Sequence, residues 1–148
     1  SWKSPSMTLQ RLPNYTTVND WEPMLSIKDV TFINLQAKDF EHGLAQIKDE
    51  FGVKVYNFDE IDHYDDLDEV AALGAALDMC VSVSTAVSTI VAAVGTPTKM
   101  LHWRQSSWNN ILHTPQGPSV DIFERNTWET WEEAIKAVVK DVNLLGRT

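Results

Sequence analysis

The 148-residue sequence contains a single cysteine, which excludes an internal disulfide bond and any metal site built from several thiolates. It contains no apolar run near the roughly 20 residues that a membrane-spanning helix requires. Basic residues are scarce, because 12 Lys and Arg face 21 Asp and Glu and give a net charge of -9. This balance disfavours nucleic-acid binding, which gains affinity from a basic surface that releases counterions. The glycine-rich fingerprints of mononucleotide and dinucleotide sites are also missing.

The overall composition is that of a folded domain. Hydrophobic residues make up 43% and charged residues 22% of the chain, which is close to average globular usage. We expect one cytoplasmic domain with Cys80, which lies in an apolar run, in its core. The opening Ser1-Trp2-Lys3-Ser4 is neither a signal peptide nor a natural start, so we expect a chain truncated at its first strand.

Apolar segments bounded by turn residues or charges predict the strands. They are residues 30–35, 53–56, 79–83, 98–101 and 120–123, with Ser1–Ser4 as a shortened sixth strand. Their continuous apolar character is typical of strands that are covered on both faces.

Helical patterns separate the strands. They cover residues 17–25, 39–51, 66–77, 85–94 and the segment from about 126 onward. Asp66 is the predicted N-cap of one helix, with Glu69 three residues later, and Gly95 is the predicted C-cap of another. Trp21, Trp128 and Trp131 have helical spacing and are expected in the core. The alternation predicts an α/β fold, an open parallel sheet of about six strands with helices on both faces, in which ligands bind beyond the carboxyl ends of the strands.

The junction Val83-Ser84-Thr85-Ala86 is the main candidate site. A buried strand passes there into a buried helix, with Ser84 as the predicted cap and with small residues that allow a ligand to approach the backbone. Unpaired first-turn amides and the helix dipole form an anion site that suits a diphosphate. The alternative is that Ser84 is a helix cap facing water and binds nothing.

Further candidates follow other predicted strands. His102, Trp103 and Arg104 come after the fourth full strand, where an aromatic ring beside a cation suits a sugar or a phosphate, although Trp103 and Trp108 could equally pack a surface loop. Lys3 and Ser4 would reach the same rim, where a lysine binds phosphate as a point charge.

The acidic segment around His63 invites a metal interpretation. It contains Asp59, Asp62, Asp65, Asp66 and Asp68. The spacing lacks the glycine and final glutamate of a calcium loop, and zinc sites need His or Cys pairs at closer intervals. We therefore interpret this segment as a solvated loop that ends in a helix cap, and we predict no metal site.

A family resemblance emerges from motifs in a fixed order. They are Ser1-Trp2-Lys3-Ser4, Val30-Thr31-Phe32-Ile33-Asn34-Leu35-Gln36, the block from Asp65 to Asp78, Val81-Ser82-Val83-Ser84-Thr85-Ala86-Val87, Gly95-Thr96-Pro97-Thr98 and Pro118-Ser119-Val120-Asp121-Ile122-Phe123. From Ser1 to about Val142 this order resembles the C-terminal domain of bacterial glycosyltransferases of the GT-B type. These proteins are often fused to tetratricopeptide repeats and are related to heptosyltransferases and to O-linked N-acetylglucosamine transferase.

The resemblance implies a Rossmann-like domain that binds the nucleotide diphosphate of a donor sugar linked to UDP or GDP. It implies that Ser84, Thr85 and Ala86 meet the diphosphate, that Lys3 and Ser4 approach it, and that Gln36 lines the nucleobase pocket. Asp66 and Leu67 would border the ribose. No metal cofactor is implied, because the helix dipole and cationic side chains stabilise the leaving diphosphate. The acceptor and the general base would belong to an absent N-terminal half, so the domain alone would be inactive.

Some residues depart from the pattern of that family. Thr89 stands where the family has a histidine, His102 replaces a proline, and the run Trp103-Arg104-Gln105 keeps part of a Trp-Arg-Trp motif. These departures support an alternative, a non-catalytic α/β interaction domain that has lost its ligand and whose strand-end rim is covered by a homodimer.

Overall fold

A computed structural model describes residues 1–5, 8–9, 12–103, 119–126 and 128–145. Within these ranges the protein is an α/β structure with parallel strands, as predicted. The strands are β1 (Phe32–Ile33), β2 (Val55–Tyr56), β3 (Cys80–Val83), β4 (Thr98–Trp103) and β5 (Val120–Arg125). The helices are α1 (Glu22–Leu25), α2 (Glu41–Phe51), α3 (Leu67–Ala75), α4 (Ala86–Ala93) and α5 (Glu132–Leu145), and 3-10 turns cover Leu12–Asn14 and Val18–Trp21.

The strands form two sheets, and the prediction of one sheet of about six strands is wrong. β1 pairs with β2, and β3-β4-β5 form a separate three-stranded sheet in the described part of the chain. Directly after β1, the Asn34 amide still donates to Tyr56 O at 2.8 Å. The Asn34 side chain then donates to Asn57 Oδ1 and accepts from the Gln36 backbone amide. Side-chain hydrogen bonds therefore take the place of a backbone ladder at residues 34–36.

Residues 1–3 lie between the two sheets. The Ser1 nitrogen donates to Val81 O at 3.4 Å, and Ser1 O accepts from the Val83 amide at 3.0 Å, so Ser1 lies opposite Ser82 in a parallel arrangement. On the other side, the backbone amides of Trp2 and Lys3 donate to the Gln36 side chain, which follows β1. The spatial order is thus β2, β1, residues 1–3, β3, β4, β5.

Both faces of β3 are covered by helices, as its continuous apolar sequence predicts. Cys80 packs with Val70 of α3 and Val91 of α4 on one face. Val83 packs with Ile135 and other residues of α5 on the opposite face. Cys80 is 2% exposed, which confirms its predicted place in the core, and burial raises the pKa of its thiol.

The ends of the helices follow the predicted signals with one exception. Asp66 caps α3, since its carboxylate accepts from the Glu69 amide at 3.1 Å. Gly95 follows the end of α4 at φ 90°, a conformation that glycine adopts without a Cβ penalty. The predicted cap Ser84 is wrong: its amide donates to Leu101 O and extends the pairing of β3 with β4, so Thr85 is the N-cap of α4.

The last helix begins later than predicted. Asn126 and Glu129 form a turn in which the Asn126 amide donates to a Glu129 carboxylate oxygen at 2.9 Å, and α5 starts only at Glu132. Trp131 is 5% exposed and belongs to the core, but Trp128 is 95% exposed. The prediction that Trp128 is a core residue is therefore wrong, because the turn places it outside the helical face. Trp21 is half-buried and packs against two hydrophobic clusters.

In the described ranges, no helix combines the length and the apolar character needed to cross a membrane.

Candidate functional site

The junction between β3 and α4 reaches the surface at the carboxyl edge of the sheet. Ser84 and Thr85 are partly exposed and Ala86 is exposed. The Thr85 amide donates to Ser88 Oγ at 3.1 Å, and Thr85 and Ser88 form a capping box at the start of α4. The amides of the first helical turn have no acceptor inside the helix. The junction therefore combines donor groups, small side chains and the positive end of a helix dipole.

Lys3 is aligned with this junction. Ser1 lies opposite Ser82 in a parallel arrangement, so Lys3 and Ser4 follow it along the chain toward the edge at which Ser84 lies. Both Lys3 and Ser4 are partly exposed. A lysine beside a helix N-terminus adds a positive charge where the helix dipole already favours an anion. The structure thus brings Lys3, Ser84, Thr85 and Ala86 to one edge.

Gln36 is fully buried beside the same edge. Its Oε1 accepts hydrogen bonds from Ser1 Oγ, the Trp2 amide and the Lys3 amide at 3.0, 3.1 and 3.2 Å. Its Nε2 donates to Lys38 O at 3.2 Å. With 0% exposure and with both ends of its amide bonded to the protein, Gln36 connects segments of the chain.

Asp66 and Leu67 line a different part of the surface. They border an open concavity of about 560 Å³ together with Asp62, Asp65 and Asp68, and no residue of the Ser84–Ala86 junction lines it. Four carboxylates around one concavity repel a diphosphate. The hydrogen bond from the Tyr64 amide, followed by the one from the Asp65 amide, lowers the pKa of Asp62 and keeps its carboxylate charged. The described residues contain no group of three His, Cys, Asp or Glu suited to a metal ion.

The residues predicted after β4 have different positions. β4 continues through Trp103, so His102 lies inside the strand and is 2% exposed, whereas the sequence suggested a place on the rim for it. Trp103 ends the strand and is half-buried at the same edge as Ser84. Thr89 is exposed on the second turn of α4, where its Oγ1 donates to Thr85 O at 3.4 Å. Arg104, Gln105 and Trp108 lie outside the described residues.

Two buried polar residues near the edge were not predicted. His63 is 6% exposed, in contrast to the exposed aspartates around it, and its Nδ1 lies 3.5 Å from Gln36 O. Asn34 is 2% exposed and donates to Asn57 Oδ1 at 2.8 Å. The sequence indicates a role for Asn34, because a polar residue follows an apolar strand there. It gives no indication that His63 is buried, because charged residues surround His63 in the sequence.

The strongest ion pairing of the sheet lies away from this edge. Lys99 of β4 is 5% exposed and contacts Asp121 of β5 at 2.5 Å and Asp141 of α5. Burial lowers the pKa of its ammonium group, but hydrogen bonds and charge interactions with the two carboxylates outweigh burial and raise the pKa overall. This arrangement fixes α5 to the sheet.

The chemistry available at the junction is anion binding. Cys80 is buried and so is shielded from a ligand at this edge. The donors at the start of α4 and the Lys3 ammonium could hold a phosphate group through backbone and charge-assisted hydrogen bonds.

A comparison with known proteins finds a curated protein that is similar to this chain in sequence. The chain is 37% identical over 139 residues to protein FlbA of Caulobacter vibrioides. The match covers 93% of this chain and 23% of FlbA, so the chain spans about a quarter of the length of that relative. No protein-family model matches the chain. No solved structure matches it either.

Proposed function

We propose that this chain is the donor-binding domain of a GT-B type glycosyltransferase and that the junction Ser84–Ala86 binds the diphosphate of a nucleotide-sugar. The observation that carries the proposal is the position of the junction in the strand order. In the order β2, β1, residues 1–3, β3, β4, β5, the chain reverses its direction of progression between residues 1–3 and β3. Doubly wound α/β folds bind their ligands at such a switch point, beyond the carboxyl ends of the strands.

The residues at this point suit a diphosphate. Lys3 and the first turn of α4 supply positive charge from two sides, and small residues leave the backbone accessible. The same contacts would stabilise the negative charge that develops on a departing diphosphate.

The proposal assigns no catalytic residue to this chain. The acceptor site and the general base are assigned to a separate N-terminal half, in a protein that carries tetratricopeptide repeats as an additional partner segment. The isolated domain would therefore bind UDP- or GDP-linked sugars without transferring them, and the proposal includes no metal cofactor.

Nucleotide titration tests this function. UDP, GDP and their sugars are added to the protein while amide chemical shifts are recorded, with adenosine as a control that lacks phosphate. We expect shifts at residues 3–4 and 84–88 and a Kd between about 10 μM and 1 mM, which corresponds to roughly 4 to 7 kcal/mol of binding. A folded protein whose spectrum no nucleotide changes would contradict the proposal.

The exposed Trp128 favours a second candidate, a non-catalytic interaction domain. A tryptophan that is 95% exposed offers a large apolar surface of the kind that anchors protein interfaces. This candidate predicts a homodimer that W128A converts to monomer, together with no response to nucleotides. Sedimentation equilibrium of both proteins distinguishes it from the donor-binding domain.

A further inference from the structure

Gln36 forms the connection between the two sheets. Among the described residues no backbone ladder joins residues 1–3 to β1, and the Gln36 side chain takes its place. One oxygen, Oε1, accepts from Ser1 Oγ and from two successive backbone amides at 3.0 to 3.2 Å. A side chain with 0% exposure that satisfies three donors fixes the path of the segment it contacts.

Gln36 is itself held from several directions. Its amide N–H donates to Asn34 Oδ1 at 2.9 Å, and its Nε2 donates to Lys38 O at 3.2 Å. Its backbone oxygen lies 3.4 Å from Asn34 Nδ2 and 3.5 Å from His63 Nδ1. The backbone contacts hold the main chain of Gln36, and the bond from Nε2 to Lys38 O orients the side chain that presents Oε1 to residues 1–3, as a positioning residue requires.

The segment that Gln36 fixes includes Lys3. The Lys3 amide is one of the three donors, and Lys3 follows Ser1 toward the edge at which Ser84 lies. Trp2 supports the same placement, because a Cβ on Gly43 of α2 would lie 2.6 Å from Trp2 Cζ2. Gln36 has no exposed surface with which to contact a nucleobase.

We propose that Gln36 is a positioning residue: its side-chain amide fixes residues 1–3 and thereby places Lys3 beside the Ser84–Ala86 junction. The proposal rests on the proposed donor-binding function and gives Gln36 a role through Lys3, where the family resemblance implies contact with the base.

Ligands that separate phosphate from base test this role. Binding of UDP, inorganic pyrophosphate and uridine is measured for the wild type, Q36A, K3A and the double variant. We expect Q36A to raise the Kd of UDP and the Kd of pyrophosphate by the same factor, about tenfold, which is the effect of losing one well-placed charged contact. Uridine binding should not change, and K3A/Q36A should bind no more weakly than K3A. Weaker uridine binding with unchanged pyrophosphate binding, or additive effects of the two substitutions, would overturn the proposal.

Amide hydrogen exchange tests the structural step without a ligand. In Q36A, the Trp2 and Lys3 amides should exchange at least about tenfold faster, whereas Ile135 in the core should keep its protection. Q36E retains oxygen acceptors and should preserve the protection of Trp2 and Lys3. Q46A, which removes a glutamine bonded to Asn19 and Glu50, is the matched control and should not change it.

The two tests separate the two proposals. If the wild type binds neither UDP nor pyrophosphate, the donor-binding function fails, and hydrogen exchange alone decides the role of Gln36 in holding residues 1–3. Unchanged protection of Trp2 and Lys3 in folded Q36A would overturn that role whatever the ligand data show.

Discussion

Gly74 of α3 is in direct contact with Val91 of α4: a Cβ at Gly74 would lie 2.8 Å from Val91 Cγ2. Alanine at position 74 should therefore force the two helices apart. Overpacking costs about 1–3 kcal/mol, and the better helix propensity of alanine offsets up to about 1 kcal/mol of this. We therefore expect G74A to lower the free energy of unfolding, measured by urea denaturation, by about 1–2 kcal/mol. In G74A/V91A the two effects should sum to less than their separate values, and a G74A protein as stable as the wild type would show that the helices can separate freely.

The two tryptophans before α5 should differ in their contribution to stability. Trp131 is 5% exposed, its Nε1 donates to Tyr15 O at 2.9 Å, and the Arg125 guanidinium lies 4.6 Å from its ring centroid. We expect W131A to cost about 3–5 kcal/mol, as for other buried aromatic residues. W128A should change the free energy of unfolding by less than about 0.5 kcal/mol. Urea denaturation followed by circular dichroism measures both, and equal losses would contradict the placement of Trp128.

The buried charge of Lys99 should destabilise the fold only when its two carboxylate partners are removed. In D121N/D141N the buried ammonium remains without a carboxylate, and we expect a loss of about 2 kcal/mol, less than for a fully buried ion pair because both carboxylates are partly hydrated. K99M leaves two carboxylates in contact with water and should change stability by less than about 1 kcal/mol. Denaturation of both variants at pH 7 tests this difference, and a larger loss in K99M than in D121N/D141N would argue against it.

The same ammonium group predicts a pH dependence. Because the pKa of Lys99 in the folded protein lies above its ordinary value of 10.5, its stabilising effect is complete below that value and is lost as the pH rises through the folded pKa. The free energy of unfolding of the wild type minus that of K99M should therefore be constant from pH 7 to 9 and should decrease above pH 10.5. Urea denaturation across this range measures it, and a change centred near neutral pH would point to another group.

A carboxylate introduced at the start of α4 should stabilise the fold but weaken ligand binding. In A86D the new charge lies at the positive end of the helix and should raise stability by about 0.3–1 kcal/mol. The same charge should weaken UDP binding by about tenfold or more, because it repels the diphosphate at close range. A93D, at the other end of the helix, should lower stability and leave UDP binding unchanged. Isothermal titration and denaturation of the two variants test both signs, and unchanged UDP affinity in A86D would place the nucleotide elsewhere.

Much of the fold follows from the local pattern of the sequence. The five apolar runs predicted as strands each contain a strand, and continuous apolar runs such as residues 79–83 suit strands that are covered on both faces. Ser1–Ser4, predicted as a shortened sixth strand, forms no strand, although Ser1 pairs with residues of β3. The Asp66 cap is confirmed because its signal lies entirely within four residues. The parallel α/β class follows from the same alternation of elements.

Features set by distant contacts could not be predicted in the same way. The sequence does not reveal that Ser84 continues the pairing with Leu101, which moves the cap to Thr85. Nor does it reveal the turn at Asn126 and Glu129 that leaves Trp128 outside the helix, since helical spacing alone indicated a core residue. At the candidate site, the small residues after β3 were visible in the sequence, but the hydrogen bonds from Trp2 and Lys3 to the Gln36 side chain join residues more than 30 positions apart.

The contacts of Ser1 with Val81 connect positions 80 residues apart, and those of Lys3 with Gln36 span 33 residues. Bringing such distant positions together costs loop entropy before any bond is formed, so these contacts should develop late in folding. Paired residues of β3, β4 and β5, such as Cys80 with Thr98 and Thr98 with Val120, are closer along the chain, so this sheet can form before residues 1–3 pair with it. Refolding kinetics would then have two stages, in which residues 1–3 join the two sheets after β3, β4 and β5 have paired.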